Sequence, residues 1–137
     1  KEEKKKLEKF CQLWTFESYI NCLDMLENQN YILFMYYNNL NTCCGLIICL
    51  KGPFETDIIY LYVYPKNRKQ GIASKLILHL LSCLKEDNKQ EGVFLEVSDQ
   101  NKSAIKLYEK IGMTYKGLRR SYYKDGSNAL VYYYSLK

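Results

Sequence analysis

Arg68-Lys69-Gln70-Gly71-Ile72-Ala73-Ser74 follows the run Leu61-Tyr62-Val63-Tyr64, closed by Pro65, and opens a stretch where Ile72, Leu76, Leu80 and Leu84 recur every four residues. With Ala73, Ile77 and Leu81 beside them, this spacing predicts a helix from Gly71 to about Lys85 with a broad buried face. A strand, a basic turn and a helix N-terminus therefore meet here. The first turn of a helix leaves N–H groups without intrahelical partners at the positive end of its dipole. Gly71 lets backbone approach an anion closely, Ala73 is too small to obstruct it, and Arg68 and Lys69 add positive charge. The segment has two readings: a cradle for a diphosphate, or a basic turn ahead of a core helix. It is neither GxxxxGK[ST] nor GxGxxG.

Upstream, Thr15 is a candidate N-cap for a helix to about Asn28, with Tyr19, Cys22, Leu23 and Leu26 on one side. Tyr31 to Tyr37 and Cys43 to Leu50 read as strands joined at Asn38-Asn39-Leu40-Asn41, and Ile58 to Tyr64 as a third. Downstream, Gly92 to Val97 reads as a buried strand and Asn101 to Lys110 as a helix ended near Gly112. Met113 to Tyr123 and Ala129 to Leu136 are two strands around an Asp125-Gly126 loop. The order helix, three strands, helix, strand, helix, two strands predicts an α/β fold. It has a mixed central sheet flanked by helices, with parallel neighbours at both strand-helix-strand crossovers.

Composition narrows the function. The 137 residues fit one domain, 1–137, with no repeat or Pro/Gly-rich linker. A net charge of +5 favours anionic partners but is too mild to indicate direct nucleic-acid binding. The six cysteines, Cys11, Cys22, Cys43, Cys44, Cys49 and Cys83, sit in apolar runs without CxxC spacing, and His79 is the only histidine. They read as reduced, buried, intracellular thiols, and no metal site is expected. The apolar run Leu46 to Leu50 is far too short for a bilayer, so no membrane partner is expected.

Arg68-x-x-Gly71-x-Ala73 after Leu61-Tyr62-Val63-Tyr64-Pro65 resembles the acetyl-CoA motif [Q/R]-x-x-G-x-[G/A] of the GNAT superfamily. Leu95-Glu96-Val97, then Asn101, Ala104, Leu107 and Tyr108, resembles its second motif, L-E-V-x-x-x-N-x-x-A-x-x-L-Y. The resemblance covers about residues 56 to 136, with a faint echo at Leu13-Trp14-Thr15. It is nearest to ribosomal-protein-alanine and N-terminal (N-alpha) acetyltransferase catalytic subunits, through Glu96, Tyr108 and Arg119-Arg120-Ser121-Tyr122-Tyr123. That family begins with a strand before its first helix. Here a Lys/Glu block stands in its place, so that strand is expected to be shortened, absent or outside this sequence.

The resemblance implies the acyl-CoA N-acyltransferase fold and acetyl-CoA as co-substrate. The pantetheine arm would lie along the backbone of Leu61, Tyr62 and Val63, and Asn101 would hydrogen-bond it. The N–H groups of Lys69, Gln70, Gly71, Ile72, Ala73 and Ser74, with Arg68, would hold the pyrophosphate. An acceptor amine would attack the thioester directly, without an acyl-enzyme. Glu96 is an ionisable residue in an apolar strand, where a carboxylate is costly unless paired or used. It reads as a solvent-facing residue on the alternate face or, with the resemblance, as a general base acting through water. Tyr108 is a core residue by periodicity or, with the resemblance, the acid that protonates the leaving thiolate. Trp14, Tyr122 and Tyr123 would contact the acceptor, although a Tyr pair is also ordinary strand composition. The implied acceptor is the α-amine of a protein or peptide, with the ribosome or an auxiliary subunit as further partners. The expected compartment is the cytoplasm, with the nucleus as a second. A lysine or small-amine acetyltransferase and a non-catalytic CoA-binding module are the alternatives.

Overall fold

The computed structural model describes residues 30–137. Tyr31–Tyr37 (β1), Cys43–Lys51 (β2) and Glu55–Val63 (β3) form an antiparallel meander. Its first turn is organised by Asn38, whose Oδ1 accepts from the N–H groups of Leu40 and Thr42, while Asn41 takes the left-handed conformation at φ 59°. Asparagine tolerates that conformation because its side chain bonds locally. Helix α1 (Ile72–Lys85) leads to β4 (Gly92–Ser98), and helix α2 (Lys102–Ile111) leads to the hairpin of β5 (Thr114–Arg119) and β6 (Ala129–Ser135).

The six strands form one mixed sheet in the order β1-β2-β3-β4-β6-β5. The first crossover, through α1, makes β3 and β4 parallel neighbours, as predicted. The second does not. Strands β4 and β5 point the same way, but β6 lies between them and pairs antiparallel with both. A hairpin must stay together, and its β6 arm offers seven residues to β4, so the arm arriving first is pushed to the edge. Lys116 and Arg119 then lie on that edge strand, where charge discourages further pairing.

Two boundaries differ from the predicted ones by three residues or more. Strand β3 begins at Glu55, three residues before the expected Ile58. The polar Glu55-Thr56-Asp57 run looks like a loop, but Thr56 is fully buried and its hydroxyl donates to Gln90 Oε1 at 2.7 Å. Gln90 in turn donates to the Gly52 carbonyl at 2.8 Å, which ties the start of β3 to the approach to β4. At the other end, β5 stops at Arg119 rather than Tyr123. Ser121 turns to φ 48° and its N–H donates to Asn128 Oδ1, so Tyr122 and Tyr123 sit in the hairpin loop. The predicted stop of α2 holds: Gly112 adopts φ 111° and its N–H returns to the Glu109 and Tyr108 carbonyls.

The larger core lies under the helices. Ile72, Leu76, Ile77, Leu80, Leu81 and Leu84 of α1 meet Ile47, Cys49, Ile58, Val93, Leu95 and Val97 of the sheet. Tyr108 of α2 joins the same core. Leu46 and Ile48 anchor a smaller cluster with Tyr31, Leu33, Met35, Tyr60, Tyr62 and Tyr64. Cys44 and Cys49 are buried as expected, but Cys43 is half-buried and Cys83 exposed; none of these four forms a disulfide. The predicted helix 15–28, Cys11 and Cys22 lie outside the described residues. Leu80 is fully buried in the centre of α1. Leu80→Ala should cost about 3 kcal/mol through lost burial and a residual cavity. A urea titration should show it as a lowered midpoint with little change in slope.

Candidate active site

Strands β3 and β4 pair only over four residues, Glu55↔Gly92 to Ile58↔Leu95. Beyond this point β3 runs on to Val63 against β2, while β4 runs on to Ser98 against β6. The two strands part, and a cleft of about 590 Å³ opens beside the separation. Leu61, Tyr62 and Val63 line one side; Asn67, Arg68, Lys69, Gly71, Ile72, Ala73 and Ser74 line the end; Asn101, Ser103, Ala104, Leu107 and Tyr108 line the other side. Eleven of the predicted residues thus share one cavity, of a size ordinary for a cofactor or substrate pocket. Gln70 is exposed and is not part of the lining.

The turn at the end of the cleft is built for an anion. Gly71 caps α1 at φ 79°, and no side chain bonds the first-turn N–H groups. The first helical bond runs from Lys75 N–H to the Gly71 carbonyl. No heavy atom lies within 4 Å of where a Gly71 Cβ would stand. Lys69 also takes a left-handed conformation, φ 64°, uncommon for a non-glycine residue and characteristic of functional turns. Arg68 is committed differently from the expectation. Its Nε donates to the Val63 carbonyl at 2.9 Å and its guanidinium lies 5.5 Å from the Tyr62 ring centre. It therefore clamps the turn onto the end of β3, and only its outer nitrogens are left for an anion.

Asn101 caps α2, with Oδ1 accepting from Ala104 N–H and Ser103 Oγ at 3.3 Å each. Its acceptor is spent on the helix; its amide donors remain for a ligand. Tyr108 is 8% exposed, and burial first, then the nearby Tyr123, pushes its hydroxyl up to about 12. It is protonated throughout the physiological range. Free transfer of that proton to a thiolate of ordinary pKa, about 8.5, would be uphill.

Glu96 takes the alternate face of its strand, as the first of its two sequence readings had it. It alternates with Leu95 and Val97, which enter the core, and its side chain is 27% exposed on the opposite face. There Oε2 accepts from Arg119 Nη1 at 3.0 Å. Arg119 also lies 5.0 Å from the ring centre of Tyr122, which stands edge-on to Tyr123 at 5.1 Å. Burial, then Glu96, then Tyr122 raises the Tyr123 hydroxyl. Tyr123 thus interacts with both Glu96 and Tyr108, although neither it nor Glu96 lines the cleft proper. Trp14 lies outside the described residues.

Asn67 and Ser103 are cleft residues that the sequence reading passed over; Ala104 and Leu107 stood in the motif without a role. Asn67 Oδ1 is buried without a partner, an acceptor position in a turn the motif leaves unspecified. Among the described residues no group of three His, Cys, Asp or Glu could hold a metal ion, and no helix is long and apolar enough to cross a membrane.

The model of the Acetyltransferase (GNAT) family matches residues 2–113. The chain belongs to this family. The match reaches well upstream of the motif-bearing region. A Bacillus subtilis protein assigned as a [ribosomal protein bS18]-alanine N-acetyltransferase is 30% identical over 125 residues, 89% of this chain and 79% of its own length. An N-alpha-acetyltransferase of Saccharolobus solfataricus is 33% identical over 72 residues, 53% of this chain and 43% of its own. The chain thus spans less than half of that archaeal relative. The structure of Arabidopsis thaliana NAA60 with acetyl-CoA superposes with a TM-score of 0.82 at 18% identity, covering 96% of this chain and 93% of that one. The acetyltransferase has the six-stranded mixed sheet and flanking helices of that fold.

Replacing Gly71 tests the cradle. Gly71→Val should leave the acetyltransferase folded, because the new Cβ meets nothing, at a conformational cost of about 1–2 kcal/mol. Acetyl-CoA affinity by calorimetry should fall about tenfold or more as the side chain enters the anion's approach. Gly71→Ala, with the same backbone strain and a smaller obstruction, should lose less.

Proposed function

We propose that this acetyltransferase moves the acetyl group of acetyl-CoA to the N-terminal α-amine of a protein, by direct attack in a ternary complex. The observation that carries the reading is the single cleft joining the parted edge of β3, the uncapped start of α1, Asn101 and Tyr108. Its N-terminal acceptor is supported by the names of the Bacillus and Saccharolobus relatives. Bound acetyl-CoA would supply the electrophile, an acetyl thioester. The first-turn N–H groups of α1, with Lys69 and the outer nitrogens of Arg68, would hold the pyrophosphate. The backbone of Leu61–Val63 and the Asn101 amide would align the pantetheine arm.

Proton movement falls to two residues on opposite sides of β4. Glu96, oriented by Arg119, would take a proton from the amine through water. Tyr108 would hydrogen-bond the departing sulfur. Because its proton is firmly held, Tyr108 would give it up only as an amine proton replaces it, acting as a relay. Tyr122 and Tyr123, in the hairpin loop, would contact the acceptor. The ribosome or an auxiliary subunit as partner, and a cytoplasmic setting, belong to the same reading.

Acetyl transfer to a library of peptides differing at the first residue, with N-terminally blocked lysine peptides alongside, tests the acceptor. Acetylation confined to free α-amines supports the reading; transfer only to lysine overturns it. Tyr108→Phe should lower turnover about 10²-fold or more and leave acetyl-CoA affinity within a few-fold, since the ring and its packing remain. Single-turnover kinetics should show whether the loss lies in the chemical step.

A further inference from the structure

The net charge of +5 is not spread over the chain. The 23 residues 102–124 hold seven Lys and Arg against one acid, Glu109. That segment alone carries +6, so the other 114 residues together stand at −1. The whole-chain figure is mild because it averages a nearly neutral molecule with one strongly basic stretch. In the structure this stretch is α2, the edge strand β5 and the start of the loop that leads to β6. All seven cations are exposed. Arg119 is spent on Glu96 at 3.0 Å. Among the described residues none of the other six makes an ion pair.

Lys102, Lys106 and Lys110 stand four residues apart and so form one row along α2, about 12 Å long at the helical rise. The opposite side of the helix packs inward through Ala104, Tyr108 and Ile111. Only Gly112 and Met113 separate α2 from β5. Tyr132 of β6 joins the two elements: its hydroxyl donates to Glu109 Oε2 of α2 at 2.9 Å, and its ring stands edge-on to Tyr115 of β5 at 6.1 Å. Partners across an antiparallel pair share a face. Tyr115 and Leu118, opposite Tyr132 and Leu130, therefore lie on the helix side of the sheet, set three residues apart by the bulge at Lys116. Tyr115 is 53% exposed and Leu118 42%. A row of free ammonium groups and an open aromatic ring thus share one side of the molecule, and none of these residues lines the cleft.

We propose that the lysine row of α2 and Tyr115 of β5 form a docking surface for single-stranded RNA, with phosphates along the row and an unpaired base on the ring. Exposed ammonium groups hold a phosphodiester chain by releasing its counterions, without regard to sequence. An open tyrosine beside them suits a base, because every base has a π-face that stacks on an aromatic side chain. Only an unpaired base can stack in this way. Such bases belong to the loops and ends of RNA, whereas duplex DNA keeps its bases paired. A membrane surface fits less well, because α2 exposes no apolar residue beside its lysines and spends its apolar side on the core. An acidic segment of protein would meet the lysines and give the ring no planar partner. The surface goes beyond acetyl transfer: binding there needs neither acetyl-CoA nor an acceptor amine.

Fluorescence anisotropy of a labelled oligouridylate of about 12 nucleotides, titrated with the whole chain in the absence of acetyl-CoA, tests the surface. The logarithm of the affinity should fall linearly with the logarithm of salt between about 50 and 200 mM, by about 0.7 for each phosphate held. Replacing the row, Lys102→Gln with Lys106→Gln and Lys110→Gln, should weaken binding about tenfold or more at about 50 mM and flatten the slope by about 2, the share of three phosphates. Tyr115→Ala should weaken binding about tenfold at every salt concentration and leave the slope unchanged, since a stacked base releases no counterion. Tyr115→Phe should restore it. Lys75→Gln with Lys89→Gln removes two exposed charges elsewhere and should change the affinity by less than about threefold. Acetyl-CoA affinity should stay within about twofold in every variant, because none of these side chains lines the cleft. Absence of binding at about 50 mM salt overturns the proposal, as does equal weakening by the Lys75 and Lys89 pair, which would leave net charge as the cause. Tighter binding of a DNA duplex of the same length overturns it in favour of phosphate alone. Capture on phosphatidylserine vesicles that the lysine variant loses, with oligouridylate binding unchanged in that variant, overturns it in favour of a membrane. A loss of acetyl-CoA affinity as large as the loss of RNA affinity overturns it by giving the row to the carrier.

Discussion

Everything in the site depends on where two parallel strands stop pairing. β3 and β4 are joined over four residues, then each keeps its other neighbour and leaves this one. Backbone polar groups along a strand demand partners, and a parting inside a sheet is tolerated when something else can use the edge. The parting also solves a positional problem. Glu96 projects from one face of β4, while Tyr108 reaches the other from α2. A reacting group that threads the gap is the one thing both can approach.

Charge is sorted along the same gap. At one end the bare first turn of α1, Lys69 and Arg68 make a positive terminus with no acidic residue in the helix's first turn. At the other, Asp57 and Glu96 put two carboxylates on one face of the sheet, and Arg119 pairs with Glu96. The two ends of the gap thereby carry opposite charge. The aromatic loop residues Tyr122 and Tyr123 stand beside the acidic end, with Arg119 tying them to Glu96.

The site also shows how one residue serves fold and chemistry together. Asn101 spends its carbonyl on capping α2 and keeps its amide for the cleft. Arg68 spends Nε on the Val63 carbonyl and so holds the turn whose backbone faces the anion. Tyr108 fills the core under α2 and is for that reason a poor acid on its own.

Sequence alone determined most of the frame. The four-residue spacing from Ile72 to Leu84 made α1, Gly112 stopped α2, and Gly71 with Ala73 marked the turn, because periodicity, left-handed glycine and small size act locally. The residues lining the cleft were legible for the same reason: the turn and the Asn101-to-Tyr108 helix each carry their own signal. What only the tertiary structure decided is non-local. β6 took the place beside β4 because a hairpin competes as a unit for a sheet edge. Tyr122 and Tyr123 left the strand because Asn128 caught the chain at Ser121. The surroundings of Glu96 turned on Arg119, twenty-three residues away, and the start of β3 at Glu55 is held by a hydrogen bond from Thr56 to Gln90. A strand's first residue, and the charge that faces a carboxylate, are set by partners distant in the chain, and no local pattern records them.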